Sequence, residues 1–395
     1  MPPSPLPRLR PLVSVPLTAD SESDVALFDP LRLDPEISGP IAVLGREEWR
    51  IASGLADAVE PEGDHELPFE LIQRLDELGL LDNDAYRLRF GAGFEEFRRQ
   101  SDRPATGAGV EYSPDRFDLR VTIGGMVADD WDMPPVSSAR AVLAPGCSLR
   151  AGAPLYSRSF ASVRHTRDRL RRVVLLGNLE AALDPILIPL AKPFATPLGS
   201  VPVDGEALAA IGALPGPSQL AHLGTRVLER AALFCRVLFP NTPIVPLLVS
   251  APRPGENLLA HSSLESAAEQ LTQLEALEGL TLYVLCTDLY HAGAGDPNAS
   301  ASPKPGIVLA GGSGQAIRED DRRCLDALTR LDAEDYARAV DEAEDPVRSA
   351  LGRAPYLLMR ALTAAGESKL AGSTLGYLQV PVPGRLATAA SVVWH

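Results

Sequence analysis

Ala141-Val-Leu-Ala-Pro145-Gly146-Cys147-Ser148-Leu149 is an apolar run that breaks at a Pro-Gly pair, and the fold can be read outward from it. An unbroken apolar segment bounded by turn residues is the pattern of a strand buried on both faces, as in a parallel sheet covered by helices. Residues 140–143, 173–176, 244–249 and 282–285 all have this character. Amphipathic stretches at 204–213, 224–236, 262–276, 319–330 and 333–342 predict helices around them. Strand and helix taking turns predicts an α/β sandwich with a central, mostly parallel sheet.

Further phrases follow in order. They are Ala153-Pro154 with Tyr156-Ser-Arg-Ser-Phe160, Arg171-Arg-Val-Val-Leu-Leu-Gly177, Thr196-Pro197-Leu198-Gly199, Thr287-Asp288-Leu289-Tyr290-His291-Ala-Gly293 and Leu351-Gly352-Arg353-Ala354-Pro355. Together they resemble the Memo-like family (AmmeMemoRadiSam system protein B) over about residues 103–395. The resemblance implies a sandwich of the kind shared with class III extradiol ring-cleavage dioxygenases, and a metal site at its sheet edge. The site positions depart from the family pattern. Gly146 stands where the family has a histidine, Glu180 replaces a second histidine, and Leu351 replaces a cysteine. Gly107 and Ala354 stand at two further histidine positions, while Glu229, Asp288 and His291 match the family.

First-row metals bind through imidazole, thiolate or carboxylate, and a catalytic centre needs about three protein ligands with one position open. Glycine and leucine donate nothing. Glu180 is the one ligand type left at the three mapped positions, so Glu180, Cys147 and His291 are weak metal candidates, and no cofactor is expected. Gly146, Cys147, Glu180, Glu229, Asp288, His291 and Leu351 are expected to line a residual pocket without a catalytic residue. Asp288 and His291 are expected to bond to the loop 292–316 or to Glu229. The resulting expectation is a non-catalytic, pseudoenzyme-like binding or assembly subunit, with a protein partner or a second copy. The alternative is an enzyme of redox or dioxygenase type whose rearranged site holds iron, copper or zinc.

A net charge of −15 and a pI near 4.9 argue against nucleic acid and anionic membranes, which need clustered Lys and Arg. No apolar run reaches the ~18 residues of a spanning helix, so a cytoplasmic location is expected. Cys147, Cys235, Cys286 and Cys324 lack Cys-x-x-Cys spacing and predict free thiols. Cys147 is expected to face the pocket.

Residues 1–18 are proline-rich and predict an extended arm that docks on a partner. Residues 19–90 predict a small α+β unit that resembles a winged-helix-like module, 91–104 a connector, and 105–395 the Memo-like domain. Weaker signals have bland readings. Gly311-Gly-Ser-Gly314 lacks a P-loop lysine and predicts a turn; Ser148 and Ser200 lack a nucleophile elbow. His165, His222 and the run 167–172 read as solvated surface or strand lead-in.

Overall fold

The computed structural model describes residues 7–17, 24–33, 40–55, 69–212, 216–253, 256–259, 262–293, 313–343, 346–367, 369–382 and 385–395. The N-terminal unit opens with β1 (Val13–Pro16), β2 (Val25–Phe28) and β3 (Ala42–Leu44), an antiparallel sheet in that order. It continues with α1 (Arg46–Gly54), α2 (Phe69–Glu77) and α3 (Asp84–Arg99). Leu27, Leu44, Ala52, Leu75 and Leu80 form its small core.

Within residues 7–17 the chain is not a free arm, a correction to the sequence expectation. Val13 pairs with Phe28, the Arg10 amide donates to Leu80 O at 2.9 Å, and the Asp82 amide donates to Arg8 O at 2.8 Å. Leu9 and Val13 are buried, and Arg10 forms a buried ion pair with Asp29 at 3.1 Å. The apolar residues at 9 and 13 find their cover on this chain. Proline-rich sequence tolerates the role because β1 is an edge strand, where a missing N–H costs no ladder bond. The connector expected at 91–104 shares its helix with the residues before it: α3 runs unbroken from 84 to 99, capped by the Asn83 side chain on the Tyr86 amide at 2.9 Å.

The second unit is a sandwich. After α4 (Arg116–Asp129) come β4 (Ala141–Ala144), α5 (Ala153–Val163), β5 (Leu170–Asn178), β6 (Leu187–Pro189), α6 (Gly205–Ala210), α7 (Ala221–Gly224) and α8 (Val227–Leu238). Then follow β7 (Ile244–Val249), α9 (Ser262–Thr272), β8 (Leu280–Cys286), β9 (Tyr290–Gly293), α10 (Ser313–Thr329), α11 (Ala333–Asp341), α12 (Pro346–Ala364), β10 (Gly372–Val382) and β11 (Arg385–Trp394). The sheet order is β10-β11-β4-β8-β5-β7-β6, with β9 paired to β11. β4, β8, β5 and β7 are mutually parallel; β6, β9, β10 and β11 join antiparallel.

Strand alternation divides the core in two. Val142, Val173, Leu175 and Val284 pack against α4, α5 and α8, whereas Leu143, Val174, Leu176 and Leu285 pack against α6 and α9 to α12. Both faces are covered, which is why the central strands are apolar without interruption. Val13, Leu31 and Phe97 belong to the first of these cores, so the two units share packing. Gly224 shows how closely: a Cβ there would lie 1.8 Å from Pro30 O. The helix expected at 224–236 accordingly breaks at Thr225-Arg226 into α7 and α8. Among the described residues no helix is long and apolar enough to cross a membrane.

Candidate functional site

The carboxyl ends of β4, β8 and β5 lie side by side, the place where open α/β sheets form their ligand crevices. β4 delivers Gly146 and Cys147, β8 delivers Thr287 and Asp288, and β5 delivers Asn178 and Glu180. Asp288 Oδ1 accepts the backbone amides of Gly146 at 2.8 Å and Cys147 at 3.1 Å. Its Oδ2 lies 2.9 Å from His291 Nε2, which donates because a carboxylate only accepts. His291 is presented by β9, where it pairs with Ala387, and its Nδ1 lies 3.7 Å from Glu180 Oε1. Burial alone would raise the Asp288 carboxyl. The His291 bond and charge, with the two amides, outweigh burial and hold it below the usual carboxylate range.

Asn178 completes the edge, and sequence reading missed it. Pro355 lies inside α12 and has no N–H, so it leaves the carbonyl of Leu351, four residues earlier, without its helical donor. Asn178 Nδ2 supplies that donor at 2.7 Å, and Asn178 Oδ1 accepts the Ala354 amide at 3.0 Å. The signal was present: a proline four residues after a mapped site position implies a carbonyl in need of a partner.

The structure thus brings together Gly146, the Cys147 backbone, Glu180, Asp288 and His291, with Leu351 touching them through Asn178. It does not bring Glu229 there. Glu229 is fully buried in the first turn of α8, where it accepts from Arg103, Tyr112, both donors of Thr106, and the Gly107 amide at 2.8 Å. Both Glu229 oxygens are engaged by these donors. Of the loop expected at 292–316 to cover the pocket, 292–293 end β9 and 313–316 open α10, and 294–312 lie outside the described residues. Cys147 is also placed differently from expectation. Its thiol packs with Leu155 and Ala389, and burial, reinforced by the Asp288 charge, pushes it well above its ordinary range. A neutral, apolar-packed thiol is a poor ligand.

Space as well as chemistry is closed. A Cβ at Gly146 would come within 3.0 Å of the Asp288 amide nitrogen and 3.2 Å of the Thr287 backbone. A Cβ at Gly107 would meet Tyr112 Cε1 at 2.6 Å. Arg230, also unforeseen, holds the Gly146 turn by donating to its carbonyl, and is itself held by Glu111 at 2.6 Å. Ser200 Oγ donates to Asp102 at 2.8 Å, and Ser148 Oγ accepts the Ala151 amide at 3.3 Å, so neither belongs to a triad. Among the described residues no three His, Cys, Asp or Glu are grouped to hold a metal ion. The donor set does not fit the metal that the family likeness implies.

Because His291 makes a charge-assisted bond to a buried carboxylate, His291→Ala is expected to lower stability by about 2 kcal/mol. Equilibrium denaturation checks this. An unchanged midpoint would mean that His291 is held for another purpose.

An α/β sandwich whose crevice sits at the strand ends, with a buried Asp–His pair and a proline-bearing helix behind it, is the class of protein defined so far. The model of the family described as Memo-like protein matches residues 103–377, and the chain belongs to that family. A MEMO1 family protein of Aquifex aeolicus is 25% identical over 242 residues, covering 60% of this chain and 61% of the relative. The match thus spans about three fifths of that relative's length. An uncharacterised Escherichia coli K12 protein of known crystal structure aligns over 65% of this chain and 99% of its own, at 14% identity and a TM-score of 0.33.

Proposed function

We propose that this chain is a non-catalytic Memo-like protein that binds or assembles with a protein partner or a second copy, in the cytoplasm and without a metal cofactor. One observation carries the reading: the three mapped ligand positions are Gly146, Glu180 and Leu351, and the neighbouring Asp288 spends both oxygens on amides and on His291. A catalytic centre needs about three donors, and this edge leaves one partly exposed carboxylate, Glu180. The surrounding bonds hold the edge rigid, which suits a scaffold. The N-terminal unit, a three-stranded sheet followed by three helices, is the surface we assign to the partner.

The test is elemental analysis of protein purified without a metal-binding tag and incubated with ferrous iron, copper or zinc, then desalted. Far less than one equivalent of metal per chain is expected, with no oxygen uptake when catechol is added. Near-stoichiometric metal that disappears in Glu180→Ala or His291→Ala would favour the redox or dioxygenase alternative and overturn the proposal.

A further inference from the structure

Away from the crevice, a cavity of about 730 Å³ lies where α3 meets the β6 edge of the sheet. Its volume falls within the 300–1,000 Å³ typical of small-molecule sites, and boundaries between units are where such sites concentrate. One wall is the stacked pair Tyr86 and Phe90, one turn apart on α3, with ring centroids 5.8 Å apart and planes at 15°. Leu187 of β6 and Ile211 after α6 form the opposite wall, and four proline rings add flat apolar surface.

Two polar groups face this space. Gln219, on the short 3-10 helix Pro217–Leu220, and Tyr86 are each only 5% exposed. Neither the Gln219 carboxamide nor the Tyr86 hydroxyl has a hydrogen-bond partner among the described residues. Neither is sealed away from the cavity. Both residues line the chamber with polar atoms that water can reach, so a ligand entering it can replace that water at two fixed points. The charged residues of the wall are already matched: Asp82 pairs with Arg87 at 2.9 Å, and Asp184 with Arg253 at 2.6 Å. A charged ligand would find no counter-charge there.

We infer that this cavity binds a neutral aromatic molecule, its ring lying against Tyr86, Phe90 and the prolines and its polar edge bonded to Gln219 and the Tyr86 hydroxyl. The inference goes beyond the proposed function and does not depend on the state of the metal crevice.

The probe is 2-naphthol, titrated by fluorescence into the full chain beside anionic 2-naphthoate and non-aromatic cyclohexanol. Saturable one-to-one binding of 2-naphthol alone is expected. Gln219→Leu and Tyr86→Phe, which keep shape and remove one polar group each, are expected to weaken it roughly 3- to 10-fold. Gly216, a lining residue with nothing within 4 Å of a built Cβ, is the blocking position, and Gly216→Trp is expected to abolish binding. Preference for 2-naphthoate, absence of saturation, or affinity unchanged in both Gln219→Leu and Tyr86→Phe overturns the inference. Should Gly216→Trp fail to fold by circular dichroism, the Gln219→Leu/Tyr86→Phe double variant decides on the same criterion.

Discussion

Glu229→Ala is expected to destabilise the chain by about 3–5 kcal/mol, the size typical of stranding one partner of a buried ion pair. The partner is Arg103, fully buried, whose guanidinium also donates to His222 O at 2.8 Å, Pro104 O at 2.8 Å and Thr225 O at 2.9 Å. Losing the carboxylate leaves Arg103 an uncompensated charge and removes the acceptor for Tyr112, Thr106 and the Gly107 amide. A fall in melting temperature of roughly 5 °C follows from the usual entropy scale for a chain of 395 residues. The same network sets an acid limit. Burial would raise the Glu229 carboxyl, but the Arg103 charge and the bonds from Tyr112, Arg103 and Gly107 hold it below its ordinary 4.5. Its contribution is therefore present above pH 4.5 and lost as pH falls below that value. Thermal melts of Glu229→Ala against wild type check the first statement. A change under 1 °C would show that the network is not what holds residues 103–112 to α8.

His222 gives the second large effect and acts at milder pH. It is buried as the neutral imidazole, with Nε2 bonded to Ile188 O at 3.0 Å and its ring edge-on to Phe194. Burial drives its pKa from 6.5 down to about 3. The unfolded chain thus takes up a proton between those values while the folded chain does not. Stability from this group is complete above pH 6.5 and erodes as pH drops toward 3. At 1.36 kcal/mol per pH unit, the loss between pH 6.5 and pH 4 is roughly 3 kcal/mol. His222→Gln keeps a donor for Ile188 O and cannot titrate, so its denaturation midpoint should fall much less than wild type over that interval. Parallel curves for the two proteins would mean that His222 is already charged or accessible in the fold.

The strand 244–249 was legible to the residue because a run buried on both faces leaves an apolar signature that depends on nothing distant. His222 was read as solvated surface and Arg172 as a solvated face or strand lead-in; Arg172 does lie at the start of β5, yet both side chains are buried. Arg172 donates to Asp204 at 2.9 Å, a partner 32 positions away that no local pattern reveals. The hairpin of β10 and β11 escaped for a different reason. Residues 387–391 of its second strand are Ala-Thr-Ala-Ala-Ser, weak in strand propensity, and the strand forms because β10 pairs along one side and β9 and β4 along the other. At the crevice the vacancies at 146 and 351 could be read from residue identity alone. The destinations of Glu229 and of the Cys147 thiol could not, since both depend on which face of a packed helix or turn they occupy.

The tight contacts at Gly107 and Gly146 bear on how the chain can change. A histidine at 107 must displace the Tyr112 ring, and one at 146 must push on the backbone of β8, which has no rotamer to yield. Each such step is disfavoured by itself, and each alone adds one donor to a shell that needs about three. A single added histidine therefore costs packing without completing a shell. The two contacts act as a ratchet: building a three-donor site at this edge takes several coordinated changes at once.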